Sequence, residues 1–292
     1  MRGTRQWYNR FPLMRGTLYV VATPIGNLED ITLRALRVLR EVDLIAAEDT
    51  RRTSRLLKHY AINTRTTSFH AHNEARKLPL LVARLERGEA LAVVTDAGTP
   101  TVSDPGSKLV SAAIDRDLRV EAIPGPSAIL AALAASGLSD RGFTFLGFPP
   151  NRSHARKQWL SDLPLGIGTL IFFEAPHRIR KSLIEALEIL GDRQIIVGRE
   201  LTKIHEQFLR GSISQVLERL GEPRGEYTVI VRPADPSRSR LQLPSKVRLW
   251  NEFCRSTEQV GRSRRRAITD LALRYGMSTR EMYLEVEKAK PD

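Results

Sequence analysis

Three short loops of the sequence combine Gly and Pro with polar side chains in a way that suits ligand binding. They span residues 23–30, 96–106 and 124–128. Gly lets the backbone approach a ligand closely and adopt positive φ, while Pro stiffens the loop, so each loop can present N–H and carbonyl groups to a bulky small molecule. One such loop alone is equally typical of an ordinary turn, but three of them favour a preformed pocket.

Several other chemistries lack the residues that they need. No loop has the Gly-x-Gly-x-x-Gly pattern of dinucleotide sites or the Gly-x-x-x-x-Gly-Lys-Ser/Thr pattern that cradles phosphates, so nucleotide hydrolysis is not indicated. His70 and His72 lack further ligands at metal spacing, His177 has no neighbouring nucleophile, and Cys254 is the only cysteine. We therefore expect no bound metal, no catalytic triad and no disulfide.

The three loops each follow a predicted strand and precede a predicted helix. Alternation of this kind predicts a mostly parallel, doubly wound sheet with helices on both faces, and ligands bind such sheets at the carboxyl ends of the strands. The apolar patterns predict strands at 17–22, 43–47, 66–69, 90–95, 119–123 and 143–147, and helices at 31–42, 51–60, 74–87, 108–116 and 129–136.

The second half of the chain has a different organisation. A linker at 148–152 precedes predicted strands at 169–173, 194–199, 206–210 and 227–231, with helices at 179–190 and 213–220. Because these strands have fewer helices between them, we expect a mixed or antiparallel sheet. A Pro- and Ser-rich linker at 233–244 then leads to a small helical, helix-turn-helix-like module.

Basic residues concentrate at the two ends of the chain. The net charge is +13, of which residues 1–16 contribute four Arg with no acid, and residues 232–292 contribute 14 basic and 8 acidic side chains. Such ends suit a polyanionic partner such as RNA, although solubility alone is an alternative explanation. No apolar run is long enough to cross a bilayer, so we expect no membrane association and a cytoplasmic protein.

The loops and several other segments match a known family. Residues 18–30, 46–51, 95–100, 103–106, 124–127, 174–178 and 199–203 closely resemble the motifs of the small-subunit rRNA (cytidine 2′-O)-methyltransferases, within the tetrapyrrole methylase superfamily. The resemblance runs in register from about residue 17 to 232 and is loose beyond it. Residues 1–16 have no counterpart, which leaves both Met1 and Met14 open as the first residue.

The resemblance implies a two-domain α/β fold with S-adenosylmethionine in the cleft between the domains, often in a homodimer, and no metal. The implied organisation is a basic extension (1–16), an N-terminal α/β methylase domain with a parallel sheet (17–148), a second α/β domain with a mixed sheet (149–232), a linker (233–245) and a helical module (246–292). The implied cofactor contacts are Ile25, Gly26, Asp96, Ala97, Gly98, Thr99, Pro100, Ser103, Ser127 and Ala128, with Ala175 and Thr228 in the second domain.

Transfer of a methyl group to a ribose hydroxyl is an in-line displacement that also needs a base for the hydroxyl proton. Glu174 and Glu200 each follow a strand of the second domain and are the candidate bases; an ion pair with Arg178 or Arg199 is the alternative role. Glu48 and Asp49 are adjacent and should point to opposite faces, so we expect Asp49 to cap a helix instead. The candidate RNA contacts are Arg51, Arg52, Arg178, Lys203, Arg264, Arg265 and Arg266.

Two other functions stay open at this point. The first is methylation of a small macrocycle such as a precorrin, which would not need the basic tail. Tetrapyrrole methylases carry Gly-Pro-Gly and Gly-Asp-Pro where this chain has Pro24-Ile25-Gly26 and Gly98-Thr99-Pro100, which disfavours a porphyrinoid substrate. The second is a non-catalytic ribosome-assembly factor that binds RNA through its C-terminal module and would not need three intact loops.

Overall fold

The computed structural model describes residues 16–101, 106–138, 142–164, 168–232, 244–259, 261, 263–275 and 279–291. They form two compact units. Unit 1 contains the described residues up to Ala131 together with Leu201–His205, and unit 2 contains Ala132–Glu200 and the described residues from Glu206 onward. No helix within these ranges is long and apolar enough to span a membrane.

Unit 1 is built on a parallel sheet of five strands in the order β3-β2-β4-β1-β5. The strands are β1 (Thr17–Val21), β2 (Leu44–Ala47), β3 (Thr66–Ser68), β4 (Leu91–Val94) and β5 (Arg119–Ile123). The helices are α1 (Leu33–Glu41), α2 (Thr50–His59), α3 (Glu74–Glu86), α4 (Ser107–Ile114) and α5 (Ala128–Ala134), whose last residues belong to unit 2. The predicted parallel sheet is confirmed, with five strands at the predicted positions. The placement of the sixth strand predicted for this half of the chain, at 143–147, is wrong, because that strand pairs with Thr169–Glu174 in the sheet of unit 2.

The strands of unit 1 are apolar on both sides because helices cover both faces of the sheet. Tyr19 and Ile45 point into a core that α1 and α2 complete, whereas Leu18 and Leu91 point into a second core that α3 and α4 complete. Successive residues of a strand alternate between faces, so near-continuous apolar runs are what a doubly covered sheet requires.

Unit 2 contains a mixed sheet in the order β6-β7-β10-β8-β9. Its strands are β6 (Phe143–Phe145), β7 (Thr169–Glu174), β8 (Gln194–Arg199), β9 (Gln207–Ser212) and β10 (Tyr227–Val231), and its helices are α6 (Ser153–Ser161), α7 (Pro176–Leu190) and α8 (Ile213–Arg219). Strands β6 and β7 are parallel and the other pairs are antiparallel, which confirms the predicted mixed sheet.

Three further helices form a small bundle with its own core. They are α9 (Lys246–Cys254), continued by a π-helical turn (Arg255–Gln259), α10 (Arg264–Tyr275) and α11 (Thr279–Ala289). Leu249, Phe253, Leu271 and Met282 are among the residues that fill the core between the three helices. The predicted C-terminal helical module is therefore present; residues 233–243 of the predicted linker lie outside the described ranges.

Helix α6 is an element of unit 2 that the apolar pattern does not predict. The reason is Arg156, whose side chain is only 2% exposed and stands where helical periodicity calls for an apolar residue. Its guanidinium donates to Glu185 of α7 at 2.6 and 2.9 Å and to the carbonyl groups of Pro150 and Asn151. This pair fixes α6, α7 and the preceding loop together.

We expect Glu185→Ala to lower the free energy of unfolding by about 3–5 kcal/mol, because it leaves the Arg156 charge buried without its partner. Lys157 and Glu188 join the same two helices by an exposed pair at 2.8 Å. The matched variant Glu188→Ala should cost less than about 1 kcal/mol. Urea unfolding followed by tryptophan fluorescence measures both, and equal losses would contradict the structural role of the buried pair.

Candidate cofactor and substrate site

The winding of the sheet of unit 1 reverses between its neighbouring parallel strands β1 and β4. Helix α1, which follows β1, packs on one face, and α4, which follows β4, packs on the other. The helices that follow these two strands therefore leave to opposite faces of the sheet, which makes the carboxyl ends of β1 and β4 a topological switch point. Such a switch point is where open α/β sheets bind their ligands.

The three Gly/Pro loops predicted to bind a ligand contact one another at this switch point. The N–H of Thr23 donates to the carbonyl of Gly98 at 2.9 Å, and the N–H of Gly98 donates back to Thr23 at 3.0 Å. The hydroxyl of Thr99 donates to the carbonyl of Pro126 at 3.4 Å. The structure thus brings together the segments that carry Ile25, Ala97, Pro100, Ser127 and Ala128; Ser103 lies outside the described residues.

Two glycines are needed for this close approach. Gly98 has φ of +85°, and a Cβ there would lie 3.4 Å from Cγ2 of Ile25. Gly26 leaves no room for a side chain, because its added Cβ would lie 2.9 Å from the carbonyl oxygen of Leu201 and even nearer to the side chain of Lys203. Lys203, predicted as an RNA contact, therefore lies directly against the first loop of the predicted cofactor site.

An acidic cluster joins the ends of β2 and β4. The Glu48 carboxylate accepts from the hydroxyl of Thr95 at 2.6 Å and from the N–H of Asp96 at 3.2 Å, while Asp96 accepts from the N–H of Asp49 at 3.0 Å. The local sequence does not indicate Glu48, because it is adjacent to Asp49 and the two side chains should point to opposite faces. The signal that points to it is the register of the sheet, in which Ala47 lies opposite Val94, so the residues that follow the two strands must meet.

The surroundings of the two aspartates shift their acidities in opposite directions. Burial, with a smaller contribution from the Glu48 charge, raises the pKa of Asp96, and Arg52 at 3.5 Å opposes this shift. The side chain of Arg51 holds the pKa of Asp49 well below its usual range. The Asp49 carboxylate also accepts from the backbone N–H of Arg51 at 2.8 Å and so caps α2, as expected.

In unit 2, the carboxylate of Glu174 is fully buried and fully engaged. It accepts from the N–H of Ala175 at 2.8 Å, from the hydroxyl of Ser182 at 2.5 Å and from the guanidinium of Arg178 at 2.5 Å. Arg178 also donates to Asn151 and is 13% exposed. These contacts match the alternative role of Glu174, in which it forms an ion pair with Arg178 and holds the start of α7 in place.

Glu200 lies at the same end of the second sheet. Glu174, Tyr227 and Arg199 are aligned across β7, β10 and β8, and Glu200 follows Arg199 directly. Glu200 is half-buried, has φ of +50° and accepts from the N–H of Glu226 at 2.9 Å. Thr228 stands beside this edge, opposite Phe173 of β7, and Ala175 follows the end of that strand.

The predicted RNA contacts differ in accessibility. Arg51 and Arg52, at the start of α2, have side chains that are 87% and 60% exposed. Arg264, at 55%, forms an ion pair with Glu287, and Arg265 and Arg266 are exposed on the same turn of α10. The structure thus places exposed cations beside the Asp96 loop of unit 1 and, separately, on the helical module. Within the described residues, no group of three or more His, Cys, Asp or Glu side chains could hold a metal ion.

Comparison with known proteins agrees with this architecture. Residues 17–217 match the family described as Tetrapyrrole (Corrin/Porphyrin) Methylases. A Streptococcus pyogenes serotype M1 protein named ribosomal RNA small subunit methyltransferase I is 45% identical over 270 residues, which cover 92% of this chain and 93% of that protein. A Synechocystis protein of the same name is 42% identical over 278 residues, which cover 93% and 99%.

A solved structure shares the fold at much lower sequence identity. The uroporphyrin-III C-methyltransferase of Thermus thermophilus, complexed with S-adenosyl homocysteine, matches with a TM-score of 0.52 and 19% identity over 74% of this chain and 97% of that one. The family match over residues 17–217 and the relatives that span nearly the whole chain show where the protein belongs. The chain is a member of the tetrapyrrole methylase family, in the group whose members are named ribosomal RNA small subunit methyltransferase I.

Proposed function

We propose that this protein transfers a methyl group from S-adenosylmethionine to the ribose 2′-hydroxyl of a cytidine in 16S ribosomal RNA. The observation that carries the proposal is the union of three Gly/Pro loops at the switch point of unit 1, in a chain that aligns with 93–99% of relatives named for rRNA methylation. The family resemblance further supports a cytoplasmic homodimer.

The residues of unit 1 fit the cofactor. S-adenosylmethionine supplies a methyl group on a positively charged sulfur and carries an ammonium, a carboxylate, ribose hydroxyls and an adenine. The cradle around Gly26 and Gly98 exposes backbone where a Cβ would crowd or strain the loop, and Asp96 adds a carboxylate that can accept from ammonium or hydroxyl groups. Residues 25–26, 96–100 and 127–128 would hold the cofactor; the contacts at Ala175 and Thr228 are proposed from the family resemblance alone.

The protein's part in the reaction is alignment and proton removal. Fixed loops can supply much of the rate by holding the attacking oxygen in line, and a general base adds roughly 10²- to 10⁴-fold. Glu200 is the better of the two candidates because it is half-buried, whereas Glu174 is buried with both oxygens accepting hydrogen bonds. We assign Glu174 the role of holding Ala175 and Arg178 in position.

Cations beside the loops supply a surface for the RNA backbone. Arg51 and Arg52 stand at the exposed start of α2, and Arg52 reaches the Asp96 carboxylate at 3.5 Å. Lys203 packs against Gly26 of the first loop. Such side chains bind phosphates and position an RNA without reading its sequence. Arg178 is more buried than these residues, so we expect it to contribute less to RNA affinity.

The direct test is transfer of labelled methyl from S-adenosylmethionine to purified small ribosomal subunits that lack 2′-O-methylation, followed by nuclease mapping. We expect label in a single 2′-O-methylcytidine. Gly98→Arg should abolish both cofactor binding and transfer, because the side chain enters the junction of the three loops. Gly191→Arg is the matched control, since Gly191 has a similar φ of +73° but nothing within 4 Å of an added Cβ.

Two results would contradict the proposal. If the protein binds the cofactor but labels neither subunits nor free rRNA, RNA is excluded as the substrate and a small macrocycle becomes the alternative. If it binds no cofactor, the result favours an assembly factor.

The variant Glu200→Gln separates catalysis from binding. If Glu200 is the general base, this variant should lower the rate of methyl transfer at least about 10²-fold and leave cofactor affinity unchanged. An equal loss in Glu174→Gln, also at unchanged affinity, would contradict the distinction between the two residues.

The raised pKa of Asp96 predicts a pH dependence of cofactor binding. The ionised carboxylate accepts hydrogen bonds, so affinity should fall as the pH drops through this raised pKa. Glu48→Gln removes a like charge and should move the midpoint to lower pH, while Arg52→Ala removes an opposite charge and should move it to higher pH. Calorimetric titration with S-adenosylhomocysteine across pH measures the midpoint, and shifts of the same sign in both variants would refute the assignment.

A further inference from the structure

A groove of about 520 Å³ lies between α10 and α11 of the helical module. This volume falls within the range of about 300–1,000 Å³ that is usual for small-molecule sites. The two helices contribute residues with the same i, i+1, i+4 spacing, so each presents one face to the groove. The lining consists of Arg264, Arg265 and Ile268 from α10 and Thr279, Arg280 and Tyr283 from α11.

The floor and one wall of the groove are apolar. Ile268 is 4% exposed and belongs to the core of the module, so it forms a rigid floor. Tyr283 is 46% exposed, which leaves much of its ring open to a ligand. A flat apolar group that entered this space would contact the ring and the isoleucine together, as stacking of a base on an aromatic side chain requires.

The charges around the groove are of one sign and are not neutralised equally. Arg264 forms an ion pair with Glu287, and its guanidinium lies 5.7 Å from the centroid of the Phe253 ring. Arg265 and Arg280 have no ion pair with any described residue, and the groove has no acidic lining residue among those described. Two unneutralised guanidinium groups beside an apolar slot are complementary to a ligand that combines phosphates with a flat ring.

We propose that this groove binds an unpaired nucleotide of the RNA substrate, with the base against Tyr283 and Ile268 and flanking phosphates on Arg265 and Arg280. The choice of RNA rests on the proposed function; the nucleotide chemistry rests on the groove. A duplex buries the faces of its bases, so it can offer the arginines its phosphates but can offer Tyr283 no ring, whereas a single-stranded segment offers both. An acidic peptide would satisfy the two arginines without using the apolar floor.

The test uses the full-length protein and fluorescence anisotropy of a labelled single-stranded oligoribonucleotide, compared with a duplex of the same length. Tyr283→Ala should weaken single-strand binding roughly 5- to 100-fold, the range of one lost base stack, while Tyr283→Phe retains it. Leu284→Ala is the matched control, since Leu284 is 50% exposed, adjacent in sequence and outside the groove lining. Duplex binding should change less than about twofold in all three variants, because phosphate contacts alone hold a duplex.

Arginine variants test the charges in the same assay. Arg265→Ala and Arg280→Ala should each lower the slope of log affinity against log salt by about 1. Arg266→Ala removes the same charge from the same turn of α10 outside the groove lining, and it should lower the slope by less than half as much. Equal slopes for Arg265→Ala and Arg266→Ala would reduce the site to general basic charge and overturn it.

Three further outcomes would overturn the proposal. The first is that Tyr283→Ala and Leu284→Ala bind the single strand with equal affinity, and the second is that Tyr283→Ala loses as much affinity for the duplex as for the single strand. The third is that poly-glutamate displaces the oligoribonucleotide with the same dependence on Tyr283. Methyl transfer to small subunits, measured on the same variants, separates this inference from the proposed function. If RNA binding depends on Tyr283 but the protein labels no subunit, the proposed function fails and the nucleotide site in the groove is still supported. If the groove variants label subunits normally and bind RNA with unaltered affinity, only the nucleotide site is refuted.

Discussion

The pairing of Thr23 with Gly98 by two reciprocal backbone hydrogen bonds is the constraint on which the proposed site depends. It joins the loops after β1 and β4 at the place where their helices leave to opposite faces of the sheet. Residue 98 has φ of +85° and lies close to Ile25, a conformation that favours glycine at this position. The third loop is attached to this pair by a separate hydrogen bond, from the hydroxyl of Thr99 to the carbonyl of Pro126.

Acidic and basic side chains lie at different places around this junction. Glu48 contacts the backbone of Asp96, and burial, with a smaller contribution from the Glu48 charge, raises the pKa of Asp96. Arg51 and Arg52 lie outward on α2 and are well exposed. The two carboxylates suit a small cationic ligand, and the two exposed arginines suit phosphates. In unit 2, by contrast, the buried Glu174–Arg178 pair fixes geometry.

Much of this architecture follows from the sequence because local patterns determine it. The five strands of unit 1 are short apolar runs between turn residues, and their positions are predicted, β5 to the residue. What escapes prediction depends on non-local contacts. Helix α6 is missed because a buried Arg156 interrupts its apolar face, and the role of Glu48 is missed because only the β2–β4 register brings it to Asp96. The Tyr283 groove needs the packing of α10 on α11.

We propose above all that the cofactor contacts the three joined loops of unit 1. Amide hydrogen exchange with and without S-adenosylhomocysteine tests it most directly, because it reports each loop separately. We expect protection at residues 23–28, 96–101 and 125–128, and none at residues 61–65, which precede the edge strand β3. Cofactor binding by calorimetry without protection in these three loops, or with protection confined to other segments, would contradict it.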